Sequence, residues 1–299
     1  MEHSPVELMN EGSSDNMLRT HENCMQETLL MCTPEAYSVK YEINPWMQNQ
    51  VGRVLSELAI KQWRGLFEQI SALATVELIH GAPAWPDLVF TANAGLPLAR
   101  QRKLILSNFR YPQRQGEKAI VRAWFQKAGW TCIDLPEDAI FEGAGDALFD
   151  ASGRLWVGIG PRSDENTPRY LASHVKTAIH GLGLIDPRFY HLDTCFCPLP
   201  TGHALYVPEA FDETGRQLLA STIGDMLIAL TQHEGMRFCA NAICIDQTVV
   251  MNSATPRLKE LLHYLGFSVV ETPLSEFMRS GGSAKCLTLS LGGWANRMI

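Results

Sequence analysis

Phe141-Glu142-Gly143-Ala144-Gly145-Asp146-Ala147-Leu148-Phe149 is a glycine-punctuated turn that opens into a short β-strand. Glycine lets the backbone turn tightly and come close to a bound group, and a carboxylate stands on either side of this turn. Read alone, Glu142 and Asp146 are equally well solvated turn acids. Outward from Glu142, however, a conspicuous polar residue recurs. Asn93 lies 49 positions earlier and Asn44 another 49 before it; His191 follows by 49, Asn241 by a further 50 and Cys286 by a further 45. A fixed period in the range of about 20–50 residues marks a solenoid, propeller or array.

The intervals hold strands and one helix each, so the repeat is α/β. Residues 54–73 place Val54, Leu55, Leu58, Trp63, Leu66, Phe67 and Ile70 at helical spacing, and a strand follows at 76–79. The same order returns as strand 103–106, helix 116–128 and strand 130–135. It returns again as strand 155–159, helix 167–181 and a strand at 189–193 that carries His191. Strand 204–207, helix 211–230, strand 247–251, helix 255–265 and strand 268–271 complete it. A ring of such units would bring residues one period apart into a shared cavity, whereas a linear solenoid would spread them along a face. Six markers also sit awkwardly with a five-unit ring. A Rossmann sheet is the rival α/β architecture, but no strand runs into G-x-G-x-x-G.

The 299 residues are 46% hydrophobic and 19% charged, with a formal net charge of −7. That is the composition of a globular protein with ample core. It lacks the basic stripe that nucleic acid requires and the polybasic anchor that acidic membranes attract. Residues 1–28 are polar and aperiodic, and the expectation is a disordered extension followed by a single domain over 29–299. The eight cysteines, without a signal-peptide pattern at the N-terminus, point to reduced thiols and a cytoplasmic setting. Cys195-Phe196-Cys197 is spaced too tightly for the usual zinc pair. With no phosphate-binding glycine loop either, neither a metal nor another cofactor is expected.

Gly281-Gly282-Ser283-Ala284-Lys285-Cys286 presents a thiol behind a glycine turn, ahead of a strand-forming run. If the markers converge, Cys286 and His191 form a nucleophile and acid/base pair. Glu142, Asp146 and Asp193 would then face the thiol, and carboxylates disfavour a thiolate. A cationic substrate removes the conflict. A planar guanidinium fits best, because its fork of N–H donors matches carboxylates and its central carbon is an electrophile. Each residue also has a plainer reading. His191 alone suits a satisfied structural histidine, Asn44 before Pro45 and Asn241 suit turn caps, and Cys286 suits a small buried hydrophobe.

Phe141-Glu142-Gly143-Ala144-Gly145-Asp146, His191-Leu192-Asp193 and Gly281–Cys286 together resemble the motifs of the guanidino-group-modifying enzymes, in that family's order. The resemblance runs from about residue 31 to the end. It implies a five-bladed α/β propeller of pentein type, built of pseudo-fivefold ββαβ repeats, in which the Asn44 segment completes a neighbouring unit. It implies that Cys286 attacks the guanidinium carbon, that His191 protonates the leaving nitrogen and later activates water, and that Glu142 and Asp193 bind guanidinium nitrogens. Asp146 would order the turn, and either Arg110 or Arg114 would hold the substrate carboxylate.

One segment departs from the deiminase pattern. Where those enzymes carry an acid in Phe-Thr-Arg-Asp, this chain reads Phe90-Thr91-Ala92-Asn93. With Ile43-Asn44-Pro45-Trp46-Met47, this resembles the arginine dihydrolases, which take arginine to ornithine, ammonia and carbon dioxide. An amide donates as well as accepts, so Asn93 would suit a neutral ureido group, and Asn44 is a second candidate for binding the substrate. The expected partner is a small guanidino compound; self-association into a homo-oligomer is left open. Arginine deiminase, dimethylarginine dimethylaminohydrolase, amidinotransferase and a non-catalytic binding propeller are the alternatives.

Overall fold

Each marker from Asn93 to Cys286 stands just before the first strand of a three-stranded sheet, and the described residues form five such sheets of one topology. The computed structural model describes residues 27–294. Along the chain the strands are β1 (Thr28–Cys32), β2 (Thr75–Ile79), β3 (Gly95–Leu98), β4 (Lys103–Leu106), β5 (Thr131–Ile133), β6 (Ala147–Phe149), β7 (Leu155–Ile159) and β8 (Ile179–Gly183). They continue as β9 (Phe196–Pro198), β10 (Ala204–Tyr206), β11 (Leu227–Ala229), β12 (Ile243–Ile245), β13 (Thr248–Met251), β14 (Ser268–Glu271) and β15 (Leu289–Gly292).

The sheets are β3-β4-β5, β6-β7-β8, β9-β10-β11, β12-β13-β14 and β15-β1-β2. In every one the first pair is antiparallel and the second parallel. A parallel pair needs a crossover, and a helix supplies it each time: Ser56–Ser71, Glu117–Lys127, Thr167–Ala172, Glu213–Ile223 or Pro256–Tyr264. The repeat is therefore ββαβ. The fifth sheet joins the last described strand to the first two, so the two ends of the described chain meet in one unit.

Local chemistry explains the elements. The helix Ser56–Ser71 buries Ala59, Trp63, Leu66 and Ile70 on one stripe. Asp212 and Thr255 cap the helices that follow them by accepting from Gly215 N and Leu258 N. The apolar clusters are shared between sheets: Leu30 and Cys32 of β1 pack with Leu104 and Leu106 of β4 and with Phe125 of the following helix. One unit alone cannot bury both of its faces, which is why the repeats need one another.

Several sequence expectations are corrected. The helix expected over 167–181 stops at Ala172, and Ile179–Gly183 is a strand beside β7. The one expected over 211–230 stops at Ile223, where Gly224 turns the chain at φ +64, and Leu227–Ala229 is a strand. His191 is not in a strand but at the start of a 3-10 turn, Leu192–Thr194. The segment that completes a neighbouring sheet is Thr28–Ile79 as a whole; Asn44 lies in its β1-to-helix connection, outside the register of the other five markers. The expected extension at 1–28 falls almost entirely outside the described residues, and within it Thr28 already begins β1. Among the described residues no helix is long and apolar enough to cross a membrane.

Candidate active site

The five turns that precede the first strands touch one another in sequence. Asn93 Nδ2 donates to the Glu142 carbonyl at 3.1 Å, and His191 Nε2 lies 2.9 Å from Glu142 Oε2. Asn241 Nδ2 donates to the Asp193 carbonyl at 2.9 Å and approaches Cys286 Sγ at 3.0 Å. Ala92 N then donates to the Cys286 carbonyl at 3.1 Å, returning to the first turn. All five markers are buried.

A small pocket opens beside Asn93, His191 and Cys286, lined also by Asn44, Asp87, Arg114 and Arg162. Of the residues singled out from the sequence, the structure brings Cys286, His191, Asn93, Asn44 and Arg114 to this cavity. Glu142, Asp193 and Asp146 stand directly behind them. Arg110 is not among the lining residues; its side chain is exposed and pairs with Asp164 at 2.5 Å, although its backbone N–H donates to Glu142 Oε1. Asn44 caps the turn Pro45–Met47, accepting from Trp46 N and Met47 N, and donates to the Ser280 carbonyl at 3.0 Å.

Asn241 builds the cysteine turn. Its Oδ1 accepts from Ser283 N and Cys286 N at 3.1 and 3.2 Å, and its amide aims an N–H at the sulfur. Gly281 sits at φ +79, and a Cβ there would meet Trp46 and Tyr190 at 2.8 Å, so only glycine fits. The Cys286 thiol lies 3.4 and 3.6 Å from the oxygens of Asp193. Burial, and then the Asp193 charge, push the thiol well above its ordinary range; burial pushes Asp193 up to about 7. Both shifts favour the protonated forms, and a cation against the pair would favour loss of a proton.

Glu142 is the opposite case. Burial disfavours its charge, but the Arg162 guanidinium and His191 outweigh burial and hold the carboxyl well below the usual range. Arg162 Nη1 donates to Glu142 Oε2 at 2.9 Å and Nη2 to the Ile43 carbonyl at 3.0 Å, with Tyr111 and Tyr190 on its faces. This ionised pair fixes the carboxylate that orients His191. Asp146 accepts from Ser163 Oγ and Leu192 N, tying the turn after His191 to its neighbour. Burial lifts it to about 6.

Arg162, Asp87 and Tyr190 escaped the sequence reading. They fall between the period markers, and their side chains reach the cavity only through the packing of loops. Asp87 Oδ1 is buried without a hydrogen-bond partner; an orphaned acceptor on a cavity wall is a place for a ligand's N–H. Among the described residues no cluster of three or more His, Cys, Asp or Glu side chains could hold a metal.

The family described as "N,N dimethylarginine dimethylhydrolase, eukaryotic" matches residues 35–292. The bifunctional arginine dihydrolase/ornithine cyclodeaminase ArgZ of Synechocystis is 46% identical over 263 residues, which is 87% of this chain. The chain spans only 37% of that relative's length. In three dimensions it resembles the substrate-bound mutant N-terminal domain of ArgZ, an arginine dihydrolase from the cyanobacterial ornithine–ammonia cycle. The TM-score is 0.87 at 45% identity, covering 89% of this chain and 98% of that one. A second structure of that domain, covalently bonded to a reaction intermediate, also aligns at TM-score 0.87 and 45% identity, over 89% of this chain and 98% of the other.

Proposed function

The chain belongs to the N,N-dimethylarginine dimethylhydrolase family, and we propose on that premise that it is a cysteine-dependent hydrolase that converts arginine to ornithine, ammonia and carbon dioxide. The five sheets are read as the blades of a propeller about the cavity, a reading supported by the contacts that run from turn to turn and return from Cys286 to Ala92.

The guanidinium enters against Asp193 and Cys286, and its charge favours the thiolate. Sulfur adds to the guanidinium carbon, His191 protonates the departing nitrogen, and ammonia leaves a thiouronium. Water activated by His191 then displaces the sulfur and gives a ureide. A second attack on the same carbon expels the second ammonia, and hydrolysis of the resulting thiocarbamate frees a carbamate that loses carbon dioxide. One arginine and two waters give ornithine, two ammonia and one carbon dioxide. The remaining N–H groups of Arg162 take the α-carboxylate, and the orphaned oxygen of Asp87 takes the α-ammonium.

The observation that carries the dihydrolase reading over its rivals is Asn93, a cavity-lining amide with one end on Arg114 and the other on Glu142. The purified chain, incubated with arginine, is expected to release ornithine with two equivalents of ammonia. Citrulline as the sole product would mean a deiminase. Ornithine without ammonia, formed only when an amine acceptor is present, would mean amidino transfer. Turnover of N-methylated arginines but not arginine would mean the activity that gives the family its name.

A further inference from the structure

We infer that Arg114 is a positioning residue: by bracing the Asn93 carboxamide it fixes which way that amide faces, and thereby whether the ureide is processed again or released. The inference rests on the two-round reading above. Asn93 and Arg114 are each 3% exposed. Arg114 Nη1 donates to Asn93 Oδ1 at 2.8 Å, while Asn93 Nδ2 donates to the Glu142 carbonyl at 3.1 Å. These two contacts admit one orientation. A flipped amide would set carbonyl against carbonyl at one end and amine against guanidinium at the other.

Arg114 is itself held fast. Its Nε and Nη2 each donate to one oxygen of the buried Glu117 at 2.8 Å, Nη2 also reaches the Asp87 carbonyl, and the ring of Phe109 covers its face. On the other side, a Cβ on Gly145 would lie 2.2 Å from Asn93 Nδ2, so the backbone itself closes against the amide. After these contacts Asn93 retains one N–H and one lone pair. The two rounds ask for both: a guanidinium offers only donors, whereas a ureide also presents a carbonyl that must be met by a donor. A fixed amide serves both without turning between rounds. An unbraced amide loses most in the second round, where the substrate is neutral and the carboxylates contribute least.

The test uses Arg114→Met/Glu117→Met, which removes both buried charges so that neither is left unpaired, and Arg114→Lys, which keeps the charge but not the fork. Citrulline and ornithine are resolved after incubation with arginine, and the wild type is the control. If the wild type releases only citrulline, the two-round reading has failed before this inference is reached. With ornithine from the wild type, each variant is expected to raise the citrulline-to-ornithine ratio by about tenfold or more. Consumption of arginine should fall by a smaller factor than consumption of added citrulline. A purely structural role lowers both consumptions together. Variants that still yield ornithine alone, or that lose both activities by the same factor, overturn the inference.

Discussion

The carboxyl of Asp193 and the thiol of Cys286, both buried, face each other at 3.4 Å. Asp193 titrates near 7 in the fold, because burial disfavours its charge, and near 4 in an unfolded chain. The native state therefore holds this proton more tightly. Its stabilising contribution is complete below the unfolded value and is lost as pH rises through about 7. Asp193→Asn is expected to narrow the difference in Tm between pH 5 and pH 8, and calorimetry at the two pH values reads it. In activity, kcat/KM for arginine should fall on the acid side with an apparent pKa near 7 that belongs to the pair.

Cys286→Ser leaves a hydroxyl in the same turn, with Asn241 still holding the backbone of Ser283 and residue 286. The fold should be retained and turnover lost by about 10⁴-fold or more, since a hydroxyl is a far weaker nucleophile at neutral pH. Stopped assays and near-UV circular dichroism check the two halves. Turnover close to wild type would remove Cys286 from the chemistry.

Asn93→Asp preserves the acceptor toward Arg114 but turns an oxygen toward the Glu142 carbonyl, which now receives an N–H at 3.1 Å. Loss of that donor should impair citrulline hydrolysis about 10–100-fold more than consumption of arginine, on the cost of an unpaired buried acceptor. Equal loss with the two substrates contradicts this account of the residue.

Arg162→Ala withdraws the cation proposed to hold the substrate carboxylate and also the partner of Glu142. The two effects separate by substrate. Against arginine, KM should rise by about 100-fold; against decarboxylated arginine the substitution should act mainly on kcat, through the looser Glu142–His191 contact. A variant that keeps the wild-type preference for the carboxylated compound shows that Arg162 does not bind it.

The α/β repeat could be read from the sequence because Asn93, Glu142, His191, Asn241 and Cys286 each precede the first strand of a sheet, so one period served fold and site together, whereas the ββαβ order came only with the family resemblance. Asn44 broke the pattern; it belongs to the connection that follows β1, and its even spacing did not reflect an equivalent place. The helices expected over 167–181 and 211–230 were too long because a short third strand follows each one. Ile179–Gly183, with two glycines, and Leu227–Ala229 carry too few residues to show a period of two. Arg110 and Arg114 are alike in sequence and differ only in their partners. Glu117, three residues on, draws Arg114 inward, while Asp164, from another unit, holds Arg110 outside. Arg162 had no motif to announce it. Its place beside Glu142 depends on the loop after β7 folding over Tyr111 and under Tyr190, contacts that no spacing encodes.

The repeated use of Cys286 on one carbon is tested most directly by following that carbon. Arginine labelled with ¹³C at the guanidino position, incubated with the purified chain and observed by NMR, should pass its label through a minor ureide signal and accumulate it as bicarbonate, with unlabelled ornithine alongside. A label that comes to rest in citrulline, or remains in an amidino group, contradicts it.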